Sequence, residues 1–268
     1  MPEFPFNTTP SRPSALTSGL TGSPELDRAA LLDIVRGLPR LALLDPGPSA
    51  EKKDWLRTRI GLLQLLQLPQ LNDGHRLPGR EGRTTPAAVL IPIVNRPDGL
   101  TLLLTQRSDT LPDHPGQISF PGGRQESADQ SSAHTALRES AEEIGLDQRH
   151  VEIFGQVGRY ETVTGYAVTP VIGWIEPPFE IYADPVEVAE VFEVPLSYVL
   201  NPGNFVQRHR EVAGKMRHFF ACTYQERYIW GATAAMILLL HYALAAPLEQ
   251  ENLSDPVEKL VRTGPEGG

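Results

Sequence analysis

The chain has 268 residues, 40% of them hydrophobic and 21% charged, with a formal net charge of −9. This is a globular composition, long enough for one large domain with extensions or for one and a half domains, with a core that needs no disulfide staples. The acidic balance excludes an electrostatic footprint for nucleic acid, so an anionic substrate would need local cations, bound metal or aimed backbone N–H groups.

Residues 1–22, rich in Pro, Ser and Thr, read as a tail. Ser23-Pro24-Glu25 has the form of an N-cap followed by Pro at the first helical position, and Leu26, Ala30, Leu31, Ile34, Val35 and Leu38 continue it as an amphipathic helix. DPGPSAE breaks that pattern, WLRTRIGLLQLLQL reads as a second helix, and LNDGHRLPGREGR as a polar loop. Residues 23–80 thus form a helical N-terminal extension, and residues 81–246 the main domain. In that domain AAVLIPIV is a buried strand, Asn95 to Gly99 a turn, and Leu100 to Thr105 the returning strand of a hairpin. A loop from Arg107 to Gly123 leads to a helix over Ser131 to Ile144, closed by Gly145 as a left-handed cap. Val151 to Val157 and Val168 to Ile175 are further strands, HFFACTYQ reads as strand core, and IWGATAAMILLL as a buried helix. Residues 247–268 form a charged tail. Strands interleaved with helices around a hairpin predict a mixed α/β (α+β) fold.

The N-terminus has no basic region followed by an apolar run, and AAMILLLHYALAA, interrupted by His241, is too short to span a bilayer. The single cysteine, Cys222, has no internal partner and fits a reducing compartment. A cytoplasmic protein without membrane or nucleic-acid partners is expected.

The chemistry concentrates in Ala136 to Leu146, ALRESAEEIGL. On a helix, Glu139, Glu142 and Glu143 share one face, while Leu137, Ala141 and Ile144 pack inward. Like charges at this spacing destabilise a helix by about 0.2–0.5 kcal/mol per pair, and a hard cation reverses the sign. Taken alone, the trio reads first as an ordinary solvated acidic face with an Arg138–Glu142 pair. The glycine turn Phe120-Pro121-Gly122-Gly123 ahead of it favours a metal site, because such a turn can present a carbonyl to a metal or N–H groups to a phosphate.

Gly122-Gly123 followed by Arg138-Glu139 and Glu142-Glu143-Ile144-Gly145-Leu146 resembles the Nudix box, the metal-binding loop–helix–loop of Nudix hydrolases. The spacing from Gly123 to Arg138 is one residue longer than the motif's. Gln130 stands where the motif has an early glutamate, with Glu126 and Asp129 nearby, and Ser140 replaces an aliphatic residue. Upstream, Leu103-Leu104-Thr105-Gln106-Arg107-Ser108, Leu111, His114, Gly116-Gln117 and Ser119 to Gly123 are similar to the signature of coenzyme A pyrophosphatases, with Pro112 in place of a basic residue. Thr164-Gly165-Tyr166, Val168 to Val171, Glu187 to Leu196 and Ile229 to Ala234 extend the resemblance over roughly residues 85–245.

The resemblance implies an α/β/α sandwich and metal-assisted attack of water on phosphorus. Coenzyme A would yield 4′-phosphopantetheine and adenosine 3′,5′-bisphosphate. It implies Mg²⁺ or Mn²⁺ held by Glu139 and Glu143, with Glu142 and the Gly123 carbonyl as further ligands, and Arg138 orienting the carboxylates. Arg107, His114, Gly122 and Gly123 are the candidate substrate contacts. Arg107 could equally be a surface ion pair, and His114 a base, a phosphate donor or a loop-packing residue. Glu161, Glu187 and Glu190 are candidates for a base or a ligand from outside the helix. Other diphosphate substrates, such as ADP-ribose or a dinucleotide, and a non-catalytic regulator stay open as alternatives. The N-terminal extension is a candidate element for a homodimer, a substrate cover or a simple fold extension.

Overall fold

A computed structural model describes residues 49–65, 70–72, 84–212 and 214–245. The expected N-terminal tail, the helix over Leu26 to Leu38, most of the polar loop and the C-terminal tail lie outside the described residues.

A mixed sheet organises the main domain. It comprises β1 (Gln70–Asn72), β2 (Thr85–Arg96), β3 (Gly99–Arg107), β4 (Ile118–Ser119), β5 (Gly122–Arg124), β6 (Val151–Gln156), β7 (Arg159–Glu161), β8 (Tyr166–Ile175) and β9 (Val188–Pro195), in the order β1-β7-β8-β2-β3-β4. β5 pairs with β2, β6 with β8, and β9 with β3. The AAVLIPIV run is central: β2 pairs in parallel with β8 from Thr85/Tyr166 to Val94/Ile175, and antiparallel with β3 up to Arg96/Gly99. A strand covered on both faces reads as a continuous apolar run, which is what this segment shows.

Alternation along the strands feeds two apolar layers. Leu90, Val94, Leu103, Val171 and Ile175 pack with Ala136 and Ile144 of α2 (Ser132–Ile144). On the opposite face Ile91, Ile93, Leu102, Leu104, Ile172 and Trp174 pack with Trp55, Leu56 and Ile60 of α1 (Ser49–Leu65), and with Ile237 and Leu240 of α4 (Gly231–Ala245). The result is an α/β/α sandwich. A short α3 (Leu196–Val199) ends β9. A separate antiparallel sheet of β10 (Val206–Val212), β11 (Lys215–Tyr224) and β12 (Arg227–Trp230) leads into α4. Among the described residues no helix is long and apolar enough to cross a membrane.

The structure corrects three sequence expectations. The helix expected from Trp55 starts at Ser49, within the segment read as a break, where Ala50, Glu51, Lys52 and Lys53 are residues a helix accommodates readily. The polar loop begins as strand β1, paired in parallel with β7. Ala141 is exposed, and the inward stripe of α2 runs through Ala136, Leu137, Ser140 and Ile144. Ser140 can lie there because its hydroxyl donates to Ala136 O at 2.7 Å, so no polar group is left unpaired in the apolar layer.

Cys222 is buried in β11, and burial pushes its thiol up to about 12. The folded protein is expected to react with a thiol reagent such as DTNB at least 100-fold more slowly than the urea-unfolded chain. Equal rates would contradict the burial.

Candidate metal and diphosphate site

The site assembles where α2 crosses the β5 strand. Ser131 caps the helix, its Oγ accepting from His134 N at 3.2 Å, and Gly145 closes it at φ 64°, donating to Ala141 O. Each cap satisfies an otherwise orphaned backbone group.

Arg138 is the hub. Its Nε and Nη2 donate to Oδ1 and Oδ2 of Asp129, each at 3.1 Å. It also donates to Glu139 Oε1 at 2.9 Å, Glu142 Oε2 at 2.8 Å and Arg124 O at 2.9 Å. Asp129 is buried and also accepts from Glu126 N and Thr135 Oγ1. The Arg138 fork, with these two further donors, pulls its carboxyl down to about 2. Asp129, rather than Gln130, is therefore the acidic residue ahead of the helix. The extra residue before Arg138 moves the acid one place back from its expected position, and Ser131 takes up the slack as the cap.

The three glutamates separate. Glu142 is exposed and held by Arg138. Glu139 and Glu143 turn toward β5 instead. Glu143 is 6% exposed, and its Oε2 accepts from Gly122 N at 3.0 Å. Glu139 lies so close to Gly123 that a Cβ there would sit 2.5 Å from its Cδ. A Cβ at Gly122, where φ is 154°, would strike Ala88 O at 2.4 Å. The glycine pair is therefore a steric requirement of the site. It lets the carboxylates lie against bare backbone.

Burial raises the Glu143 carboxyl to about 7, the opposing Gly122 N–H notwithstanding, and Glu139 and Glu187 push it further in the same direction. Glu139 is also raised, first by burial, against the pull of Arg138. Both carboxyls are thus raised chiefly by burial, Glu139 in spite of its ion pair with Arg138. The nearest cation to Glu143 is Arg107, with Nη1 4.0 Å from Oε1, and the buried Arg107 Nε has no hydrogen-bond partner among the described residues.

Glu187 is the outside carboxylate that the fold brings to this pair, since its charge acts on both Glu139 and Glu143. The preceding segment docks on the end of α2: Tyr182 N donates to Ile144 O at 2.8 Å and Asp184 N to Glu143 O at 2.9 Å. Glu187 N then bonds Asp184 O, and its carbonyl accepts from Ser108 N at 2.8 Å. Glu190 lies on the other face of the sheet, two residues from Phe192 and paired with Arg227. Glu161 ends β7, opposite Ala167. His114 is exposed in the loop after β3 at φ 58°, its carbonyl accepting from Gln117 N, with no contact to the carboxylates among the described residues.

No three His, Cys, Asp or Glu side chains stand close enough together to chelate an ion among the described residues. The donor set fits a hard cation held by two carboxylates, with the rest of its shell from backbone oxygen, water and substrate phosphate, which is the habit of Mg²⁺. Two neighbouring carboxyls lying against bare glycine backbone are the observation that supports this fit. Sequence spacing did not assign Asp129 its role, and Ser131, the expected first residue of the helix, is its cap. In sequence Asp129 stood only as one of two acids, with Glu126, near the motif's early glutamate position.

Residues 84–215 match the sequence pattern of the NUDIX domain. The chain is 41% identical over 151 residues to the "uncharacterized Nudix hydrolase NudL" of Photorhabdus laumondii, covering 56% of this chain and 80% of that protein. It is 39% identical over 178 residues to the protein of the same name from Yersinia pestis strain Pestoides F, covering 64% and 86%. Among solved structures it is similar to a C. elegans Ap4A hydrolase, at 18% identity and a TM-score of 0.36 over 41% of this chain and 80% of that one. The NUDIX domain of Shewanella oneidensis NrtR, complexed with ADP ribose, gives 21% identity and a TM-score of 0.36 over 46% and 80%.

Proposed function

Because the chain belongs to the Nudix hydrolase family, we propose that it hydrolyses the diphosphate of coenzyme A or its thioesters, releasing 4′-phosphopantetheine and adenosine 3′,5′-bisphosphate. The observation that carries the hydrolytic reading is the Glu139–Glu143 pair against Gly122-Gly123. The substrate reading comes from the LLTQRS and SFPGG segments, which form β3, β4 and β5 around that pair.

Glu139 and Glu143 would hold Mg²⁺ or Mn²⁺, with the Gly123 carbonyl as a further ligand. When bound, the ion neutralises diphosphate charge and makes a coordinated water more acidic. Arg138 fixes the Glu139 rotamer while Asp129 fixes Arg138. Glu142 serves that orientation and is not assigned as a ligand, because Arg138 holds it in solvent. Arg107, whose side chain is partly exposed, offers its charge and its terminal Nη groups to a phosphate oxygen. The Gly122 N–H is engaged by Glu143 and orients that carboxylate rather than the substrate. Glu187 is assigned to take the proton of the attacking water.

Purified protein incubated with Mg²⁺ or Mn²⁺ and a panel of diphosphates is expected to turn over coenzyme A fastest, with both products resolved by ion-exchange chromatography. ADP-ribose cleaved as fast as coenzyme A would sink the substrate assignment, and no cleavage of any diphosphate would sink the hydrolase.

A further inference from the structure

The hydrolytic machinery uses no residue of the β10–β11 hairpin. β10 is an edge strand, paired among the described strands with β11 alone. The register puts His209 of β10 directly opposite His218 of β11. Residues so placed share one face of the sheet, with Cβ atoms about 4.5–5.5 Å apart. The two imidazole rings stand 6.0 Å apart between centroids and are tilted by 50°. Both residues are exposed, and neither side chain hydrogen-bonds or ion-pairs with another described residue. Their ring nitrogens are therefore open to an outside ligand.

The neighbouring arginines do not share that face. Alternation sends Arg208, Arg210 and Arg217 to the other side, where the Arg210 guanidinium lies 5.9 Å from the centre of the Trp230 ring. The charged residue next in register on the histidine face is Glu211, two positions along β10 and opposite Met216. Its charge favours a cation there. A tetrahedral zinc ion takes imidazole nitrogen at about 2.0–2.1 Å, which sets the centroids of two rings that share it roughly 5 Å apart. Exposed rings close the remaining distance by turning about their side-chain bonds. As the side chains stand, no third His, Cys, Asp or Glu is in chelating reach, so water fills the rest of the shell. Imidazole suits zinc, copper and nickel, whereas carboxylate and water suit magnesium, so this pair and the Glu139–Glu143 pair differ in the ions they select.

The geometry points to a second metal site: a divalent cation of the zinc type, held by one nitrogen each of His209 and His218, bridges β10 and β11 and clips the edge strand in place. Zn²⁺ is the probe, added to the full chain in excess Mg²⁺ so that the carboxylate pair does not compete for it. Calorimetric titration is expected to show one zinc equivalent bound, and His209→Ala and His218→Ala each to weaken it roughly tenfold or more. In NMR spectra of the imidazole C–H groups, zinc is expected to shift His209 and His218. Zinc that shifts neither ring, or binding that survives either substitution unchanged, would overturn the site. Both histidines are exposed, so in chelator the variants are expected to melt with the wild type, while zinc raises the wild-type Tm alone. A variant that melts lower in chelator and gains as much from zinc as the wild type would assign the histidines to packing and overturn the site as well.

Discussion

Glu143→Gln is expected to cut kcat by about 10³-fold or more while making the metal-free protein more stable at pH 8. Both effects follow from the same buried carboxylate. Its carboxyl is raised from an ordinary 4.5 to about 7, chiefly by burial. The folded metal-free protein therefore holds a proton that the unfolded chain has already released. The stability this group contributes is fully present below its unfolded pKa and is lost as pH rises through about 7. Integrated over that window, the loss is ~3 kcal/mol. Glutamine keeps an acceptor for the Gly122 N–H without the charge, so the variant escapes the loss. Thermal melts in chelator at pH 5.5 and pH 8 should converge for the variant and separate for the wild type. Divalent cation should then raise the wild-type Tm more than the variant's. A variant that melts no higher than wild type in chelator at pH 8 would show that the site does not hold the strained charge described here.

Arg138→Met is expected to cost about 3 kcal/mol or more in folding stability, because it strands the buried Asp129 carboxylate. The sign with pH is opposite to that of Glu143. Asp129 is pulled down to about 2, so its contribution is present above the ordinary carboxylate range and is lost as pH falls toward 2. Urea unfolding at pH 7 should show the deficit, and at pH 3 the two proteins should lie closer together. Arg138→Lys keeps the charge but loses the two-pronged grip on Asp129, and should fall between them. Methionine tolerated within 0.5 kcal/mol at pH 7 would remove Asp129 from the account of what holds the helix in place.

The layered fold was legible because its strongest signals are local. The β2–β3 hairpin and α2 follow from an apolar run, turn residues, an amphipathic helical face and a terminal glycine. The β10–β11 hairpin was not, since VQRHREV has no apolar alternation and pairs with β11 on tertiary grounds. Within the site, spacing placed Glu139 and Glu143 on one face. It could not separate Glu142 from them, because the division depends on where Arg138 reaches. Fixed spacing also pointed to Gln130, whereas the acid that meets Arg138 is set by how the turn before Ser131 folds. Glu161, Glu187 and Glu190 were indistinguishable in sequence. Only the strand faces and the docking of residues 182–187 on α2 set Glu187 apart.

That docking uses main-chain N–H groups of Tyr182 and Asp184 on main-chain carbonyls of Glu143 and Ile144. Backbone donors do not depend on which side chain a position carries, proline excepted. The segment can therefore drift widely in sequence while its path stays fixed relative to α2. A family built on this frame can vary the outer wall beside α2, including the exposed Tyr182 and Val186, without moving Glu139 and Glu143.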